Sequence, residues 1–394
     1  MEPAPWGNFI EGAWMTKHNG KYYMQYGAPG TEFKGYANGV HVGDNPLGPF
    51  VYQKHNPVSY KPGGFVVGAG HGNTFADKFG NYWNTGTCKI SIKDRFERRI
   101  NMFPAGFDKE GIMYSITAYG DFPIKLPAKK RDHRTGASTG WMLLSYKKPV
   151  IVSSFEDCAN VETHRVDNGG KKVIEKICYD AQNITDEDIQ TYWSARTSQA
   201  GEWLQLDLGE KMEIRALQIN YADHKATQYN KAMDMYHQYQ IFMSDDAKSW
   251  TLVVDKSKND RDVPHDYVEL TKPIRARYVK MVNIHCASGL FAISDFRVFG
   301  HGLSEKPSRV ERFTVNRASS DSRNAMITWD TQKKAVGYTI YYGIAPDKLY
   351  NNIMVYDVNL YDFRGLDKGT TYYFAIEAFN SNGVGPLTEV LKID

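Results

Sequence analysis

The sequence predicts an all-β chain, and three observations carry that expectation. Short alternating segments bounded by glycine-rich turns recur along the 394 residues, and few stretches keep a helical period. Aromatic residues reach 13%, with 26 Tyr and 8 Trp, a composition that suits half-buried pleated surfaces and also sugar-stacking ones. An Asn-Gly pair, Asn19-Gly20, separates "AWMTKH" from the alternating "KYYMQYG", the strongest short-range signal for a β-hairpin.

Composition narrows the class further. With 42% hydrophobic and 24% charged residues, the chain is ordinary for a folded, multidomain protein. A net charge of +3 and the lack of a long basic run argue against a nucleic-acid partner. No run of 18 apolar residues occurs, so a membrane-spanning helix is not expected. The opening "MEPAPWGNF" lacks the basic and apolar parts of a secretory signal. Cys88, Cys158, Cys178 and Cys286 show no CxxC spacing, which speaks against zinc; if a disulfide forms, Cys158 with Cys178 across a loop is the pairing to expect. The chain is expected to be a monomer.

Taken in order, three regions emerge. Residues 1–149 carry "KYYMQYG", "GYANGVHVG", "GNTFADKFGNYWNTGT" and "GIMYSITAYG", strand and turn at a density that predicts a propeller, sandwich or barrel. Residues 150–302 form a second all-β unit with the well-alternating strands "EWLQLDLG", "IRALQINYA", "YHQYQIFMSDD", "WTLVVD", "RYVKMVNI" and "FAISDFRVFG". After the short linker "SEKPSRV", residues 303–394 offer "NAMITWD", "GYTIYYG" and "TTYYFAIEAFNSNGVGP", about the size of an immunoglobulin-like sandwich.

One carboxylate stands out on position alone. Glu11 lies between an apolar pair and a glycine, at the start of the first hairpin strand; a carboxylate turned into a packed sheet costs free energy unless it is paired or used. Its bland alternative is a solvated strand-end Glu.

"FIEGAWMTKHNGKYYMQYG", "GVHVGDNPLGPF" and "GAGHGNTFADKFGNYWNTGT" resemble the later part of a glycoside hydrolase family 43 five-bladed β-propeller. The resemblance implies that Glu11 is the general acid that protonates a leaving glycosidic oxygen. That role asks for a carboxyl still protonated near neutral pH, and an apolar setting with Phe9 and Trp14 nearby would raise its pKa. His71, in "GHGNTF", matches the family's His near the propeller axis, where it supports a metal or a water; the alternative is a satisfied loop histidine. The resemblance also implies that the catalytic base and a further Asp come from earlier blades. Asp44, Asp77 and Asp108 read as turn residues, so the chain is expected to be the C-terminal portion of a secreted arabinofuranosidase- or xylosidase-like enzyme on plant polysaccharide. It should be inactive alone, because one carboxylate cannot serve as both acid and base. The competing reading is a non-catalytic carbohydrate-binding or scaffold protein. Extracellular or periplasmic location follows from the resemblance.

The middle region, through "DIQTYWSARTSQAGEWLQLDLG", "IRALQINY", "RYVKM" and "FAISDFRVFG", resembles a discoidin, or coagulation factor 5/8 type C, jelly roll of the kind that serves as a carbohydrate-binding module. The resemblance implies a structural Ca²⁺ held by Asp186, Asp188 and Asp295 beside Thr191, since Ca²⁺ gathers six to eight hard oxygens; alternatively these acids only solvate a turn. The stretch at 220–239, "NYADHKATQYNKAMDMYHQY", is a long insertion. With Tyr192 and Trp193 it supplies the expected sugar contacts, His224 and Tyr229 ahead of Trp193, which also reads as core. The last region resembles a fibronectin type III domain, with Trp329 as the buried inner-strand Trp and Tyr372 as the corner tyrosine. The predicted fold is therefore a partial β-propeller, a discoidin-like jelly roll and a fibronectin type III sandwich.

Overall fold

A computed structural model describes residues 10–90, 98–131, 137–166, 171–226 and 235–394. The described chain is all-β, with a single short 3₁₀ turn at Ala181–Ile184. It divides into two compact units, one built from residues 1–90, 95–140 and 306–394, the other essentially from 141–305.

The first unit opens with two blade-like antiparallel sheets. One joins β1 (Glu11–His18), β2 (Lys21–Ala28), β3 (Ala37–Gly43) and β4 (Val51–Tyr52) in chain order. Asn19 and Gly20 both adopt positive φ, 47° and 81°, and set His18 opposite Lys21 in the β1–β2 hairpin. The other sheet joins β5 (Val67–Gly70), β6 (Thr74–Ala76), β7 (Tyr82–Lys89), β8 (Arg98–Phe107) and β9 (Met113–Ser115) around β7 and β8. Buried polar side chains stitch the two sheets. Thr74 donates to Gln25 at 2.8 Å and Asn38 Nδ2 donates to the Ala69 carbonyl at 2.7 Å, while Asn84, within the second sheet, donates to Thr74 at 2.9 Å. Each of these groups would cost free energy if buried without a partner. The turn acids are committed locally: Asp77 Oδ1 accepts from the backbone of Phe79 and Asn81, and Asp108 Oδ1 from that of Glu110 and Ile112. Asp44 pairs with Lys21.

The second unit is built on β10 (Met142–Leu143), β11 (Val150–Val152), β12 (Ala159–Val166), β13 (Lys172–Ile177), β14 (Trp193–Ser194), β15 (Trp203–Tyr221), β16 (Gln238–Ser244), β17 (Thr251–Asp255), β18 (His265–His285) and β19 (Ala292–His301). Eight of these form one sheet system, and β12 pairs with β13 apart from it. Period-two alternation does the work: Leu204, Leu206 and Leu208 of β15 are buried with Val279 and Met281 of β18, while their sequence neighbours are more exposed. Cys158 and Cys178 are disulfide-bonded, and Cys88 and Cys286 are buried free thiols.

The fibronectin-like region returns to the first unit. Its sheets are β20 (Thr314–Arg317), β21 (Asn324–Thr328) and β24 (Leu360–Arg364), and β22 (Gly337–Gly343), β23 (Asn351–Tyr356), β25 (Tyr372–Asn380), β26 (Gly383–Val384) and β27 (Leu391–Ile393). Trp329 is buried in its core. The Tyr372 hydroxyl accepts from the Asp367 backbone N–H at 3.2 Å, tying the corner. The loop before β23, and β23 itself, pack on the blades. Lys348 pairs with Asp108 at 3.2 Å and with Glu110, Tyr350 stacks on Tyr114 with ring centres 4.3 Å apart, and Asn352 donates to Thr117 at 2.7 Å. Within this unit the C-terminal region covers the blades.

Candidate functional site

Glu11 is placed by a defect in its own strand. Between Glu11 and Trp14 the β1–β2 register slips, Glu11 facing Gly27 and Trp14 facing Gln25, so one extra residue is accommodated as a bulge that re-aims the side chain. Gly12 takes φ +65° at the bulge, and a Cβ there would lie 2.7 Å from the His71 ring. Only glycine fits both demands. His71, arriving from the turn after β5, itself has φ 49°, a left-handed backbone that non-glycine residues adopt at a cost.

Three side chains meet there. The Tyr36 hydroxyl donates to Glu11 Oε1 at 2.7 Å, and His71 Nδ1 lies 3.5 Å from the same oxygen. Tyr36 is 1% exposed, whereas the Glu11 side chain is 41% exposed. The Tyr36 hydrogen bond holds the Glu11 carboxyl below the usual Glu range; partial burial opposes this, and His71 and Arg98 add to it. Burial, and after it the carboxylate, push the Tyr36 phenol up. This corrects the expected apolar enclosure. Trp14 is 44% exposed and its indole N–H is spent on the Thr74 carbonyl at 3.2 Å, so the immediate neighbours of Glu11 are hydrogen-bond donors that favour its charged form. Phe9 lies outside the described residues. Tyr36 and Arg98 were missed in the sequence because nothing local marks either as a partner of Glu11.

The second set of predicted residues divides. Asp186 and Asp188 sit on the turn between the 3₁₀ segment and β14, with Asp186 accepting from the Asp188 backbone at 3.0 Å and from Thr191 Oγ1 at 2.6 Å. Asp295, on β19, is 1% exposed and both of its carboxyl oxygens lack a hydrogen-bond partner. Burial, with the charges of Glu187 and Asp186, pushes its pKa well up; burial raises Asp186 to about 6. Glu187, which sequence reading overlooked, is buried and forms a two-bond ion pair with Arg297, at 2.8 and 2.9 Å. Among the described residues no group of three or more His, Cys, Asp or Glu is arranged to hold a metal ion. The orphaned oxygens of Asp295 nonetheless fit a hard, oxygen-seeking cation, which would also draw on backbone carbonyls and hydroxyls.

Of the predicted sugar contacts, Tyr192, Trp193 and His224 do not reach the surface. Trp193 is fully buried and donates its indole N–H to the Ser154 carbonyl at 3.0 Å. Tyr192 and His224 are buried against Tyr179, with the Tyr192 hydroxyl 2.9 Å from His224 Nδ1. None of these rings presents a face to a ligand, because the alternation that makes Trp193 core carries its neighbour into a second, smaller cluster. Tyr229 lies outside the described residues.

Three family models match, each to one region. Residues 3–95, which include Glu11, Tyr36 and His71, match Glycosyl hydrolases family 43; residues 170–294 match the F5/8 type C domain; residues 307–394 match the Fibronectin type III domain. The N-terminal region is thus glycoside hydrolase-like and is joined to two β-sandwich modules. Among individual proteins, the chain is 53% identical over 45 residues to a β-xylosidase of Xylanibacter ruminicola and 51% identical over 45 residues to a xylosidase/arabinosidase of Bacteroides ovatus. Each match covers 11% of this chain and spans only 13% of the relative's length. A solved glycoside hydrolase aligns over 75% of this chain and 61% of its own, with 20% identity and a TM-score of 0.40.

Proposed function

We propose that this chain handles pentose-containing plant polysaccharide as the acid-bearing part of a family 43-like glycoside hydrolase, extracellular or periplasmic, with the type C region holding the glycan. The observation that supports this reading is the setting of Glu11: a bulged strand, a glycine that nothing else can replace, and two donors converge on one carboxylate inside the family 43-like stretch. The carboxyl is the donor to the leaving oxygen; its neighbours favour the charged form, so its protonation for that step relies on the desolvation that a bound substrate brings. Inverting hydrolysis also needs a second carboxylate to activate water, about 6.5–9.5 Å away, and Asp44, Asp77 and Asp108 are engaged in turns and ion pairs instead. A Ca²⁺ ion, if held by the orphaned Asp295 oxygens together with backbone carbonyls and hydroxyls, would brace the type C region and supply charge neutralisation there.

The test is direct. The 394-residue chain is expected to leave aryl β-xyloside and α-L-arabinofuranoside unhydrolysed while retaining measurable affinity for arabinoxylan. Turnover that vanishes in Glu11→Gln would reveal a base within the chain and remove the non-catalytic half of this reading.

A further inference from the structure

Resting on the assignment of Glu11 as an acid, we propose that Tyr36 is a positioning residue for its proton: the buried hydroxyl, donated to Oε1, leaves Oε2 as the oxygen that carries and hands over the proton. A neutral carboxyl has one carbonyl oxygen, the better acceptor, and one hydroxyl oxygen. Tyr36 donates to Oε1 at 2.7 Å, and His71 Nδ1 approaches that same atom at 3.5 Å. With Oε1 taken by the Tyr36 hydroxyl, the proton of the neutral carboxyl resides on Oε2. During transfer the Oε2–H bond opens, the proton joins the leaving oxygen, and its electron pair stays on the carboxylate. The charge that develops is met by a hydrogen bond already in place, so no reorganisation is required.

The arrangement is built into the packing. The Tyr36 ring fills a slot floored by glycine: a Cβ on Gly70 would meet the ring at 2.6 Å, and one on Gly27 would meet the His71 backbone nitrogen at 2.6 Å and the Tyr36 hydroxyl at 3.0 Å. Gly12 meets His71 in the same way. The Tyr36 carbonyl accepts from the Ala69 N–H at 2.8 Å, fixing its backbone to the strand that carries Gly70. Three glycines on three strands thus leave room for two side chains whose common target is one carboxyl oxygen. Packing alone would be met by a phenylalanine; the hydroxyl is what the acid uses.

Tyr36→Phe keeps the ring and removes only that donor. In the full chain labelled with ¹³C at Glu carboxyls, the Glu11 resonance is identified by its loss in Glu11→Gln and followed against pH. The expected result is a Glu11 midpoint below the ordinary Glu value in the parent, raised by about one unit in Tyr36→Phe. A second variant with 3-fluorotyrosine at position 36, a stronger donor, should lower the midpoint, and it decides the matter if Tyr36→Phe does not fold. Midpoints that agree within about 0.2 unit across all three would overturn the proposal. A shifted midpoint in a chain with no affinity for arabinoxylan would overturn the hydrolase reading and leave the positioning role standing.

Discussion

His237 sits ring to ring on Tyr221, with centres 3.6 Å apart, and its Nδ1 accepts the Ala287 N–H at 3.5 Å. Burial and the nearby His285 lower its pKa from 6.5 to about 4. The unfolded chain therefore binds this proton more tightly than the folded one. The stability that His237 contributes is complete above about pH 6.5 and is lost as pH falls towards 4. We expect the type C unit to lose about 3 kcal/mol across that window from this residue, and His237→Phe, which keeps the stack, to flatten that part of the pH profile in urea titrations. An unchanged profile would show that another group sets the acid sensitivity. At this scale the sequence was a partial guide. Trp329 and the Cys158–Cys178 pair were legible because their signals are local, an inner-strand Trp and a short loop between cysteines. The sugar-contact residues were not, since Tyr192 and His224 advertise polarity while their hydroxyl-to-imidazole contact is what allows both to be buried.

Among elements, the turn at 185–191 and strand β19 depend on how their charges are met. Arg297 neutralises Glu187, but Asp295 keeps two partnerless oxygens beside Asp186. A buried carboxylate in that position either holds a proton or takes a cation. A cation that binds only the folded turn adds its binding free energy to folding, about 2.7 kcal/mol at a hundred times Kd. We expect melts of the type C unit with Ca²⁺ and with chelator to differ by several degrees, and Asp295→Asn to abolish the difference; coincident melts would leave protonation as the resolution. Strand alternation made β15, β18 and β19 readable from sequence, and "DEDIQT" could be marked as an acidic turn. The Glu187–Arg297 pair could not, because an arginine fully buried on a strand looks in sequence like any outward-facing residue. Likewise, the bulge at Gly12 is invisible until the register of β1 against β2 is known.

On the scale of the whole molecule, the fibronectin-like region serves as a wall of the first unit. Its contact with the blades combines buried polar pairs with close backbone packing. Lys348, 7% exposed, answers Asp108, 5% exposed, and Tyr350 donates to the same Asp108 at 2.7 Å. Glu377 receives Tyr119 from the blades at 3.1 Å and Tyr341 from its own sheet at 2.8 Å; burial raises its pKa despite these donors. A Cβ at Gly63 would lie 2.2 Å from the Met354 carbonyl, so the two backbones approach as closely as chemistry allows. Nothing in the local sequence of either partner announces this pairing, because residues from 63 to 119 meet residues from 348 to 377. Two changes should therefore be felt on both sides at once. Lys348→Ala leaves Asp108 buried without its cation, at a cost of about 3 kcal/mol, and Gly63→Leu forces the backbones apart. In either variant amide exchange should quicken together in β7 and β8 of the blades and in β22 and β25 of the sandwich, since one cooperative unit opens as a whole. Were the region a mere spacer, Gly63→Leu would loosen the blades and leave protection in β22 and β25 at the level of the parent chain.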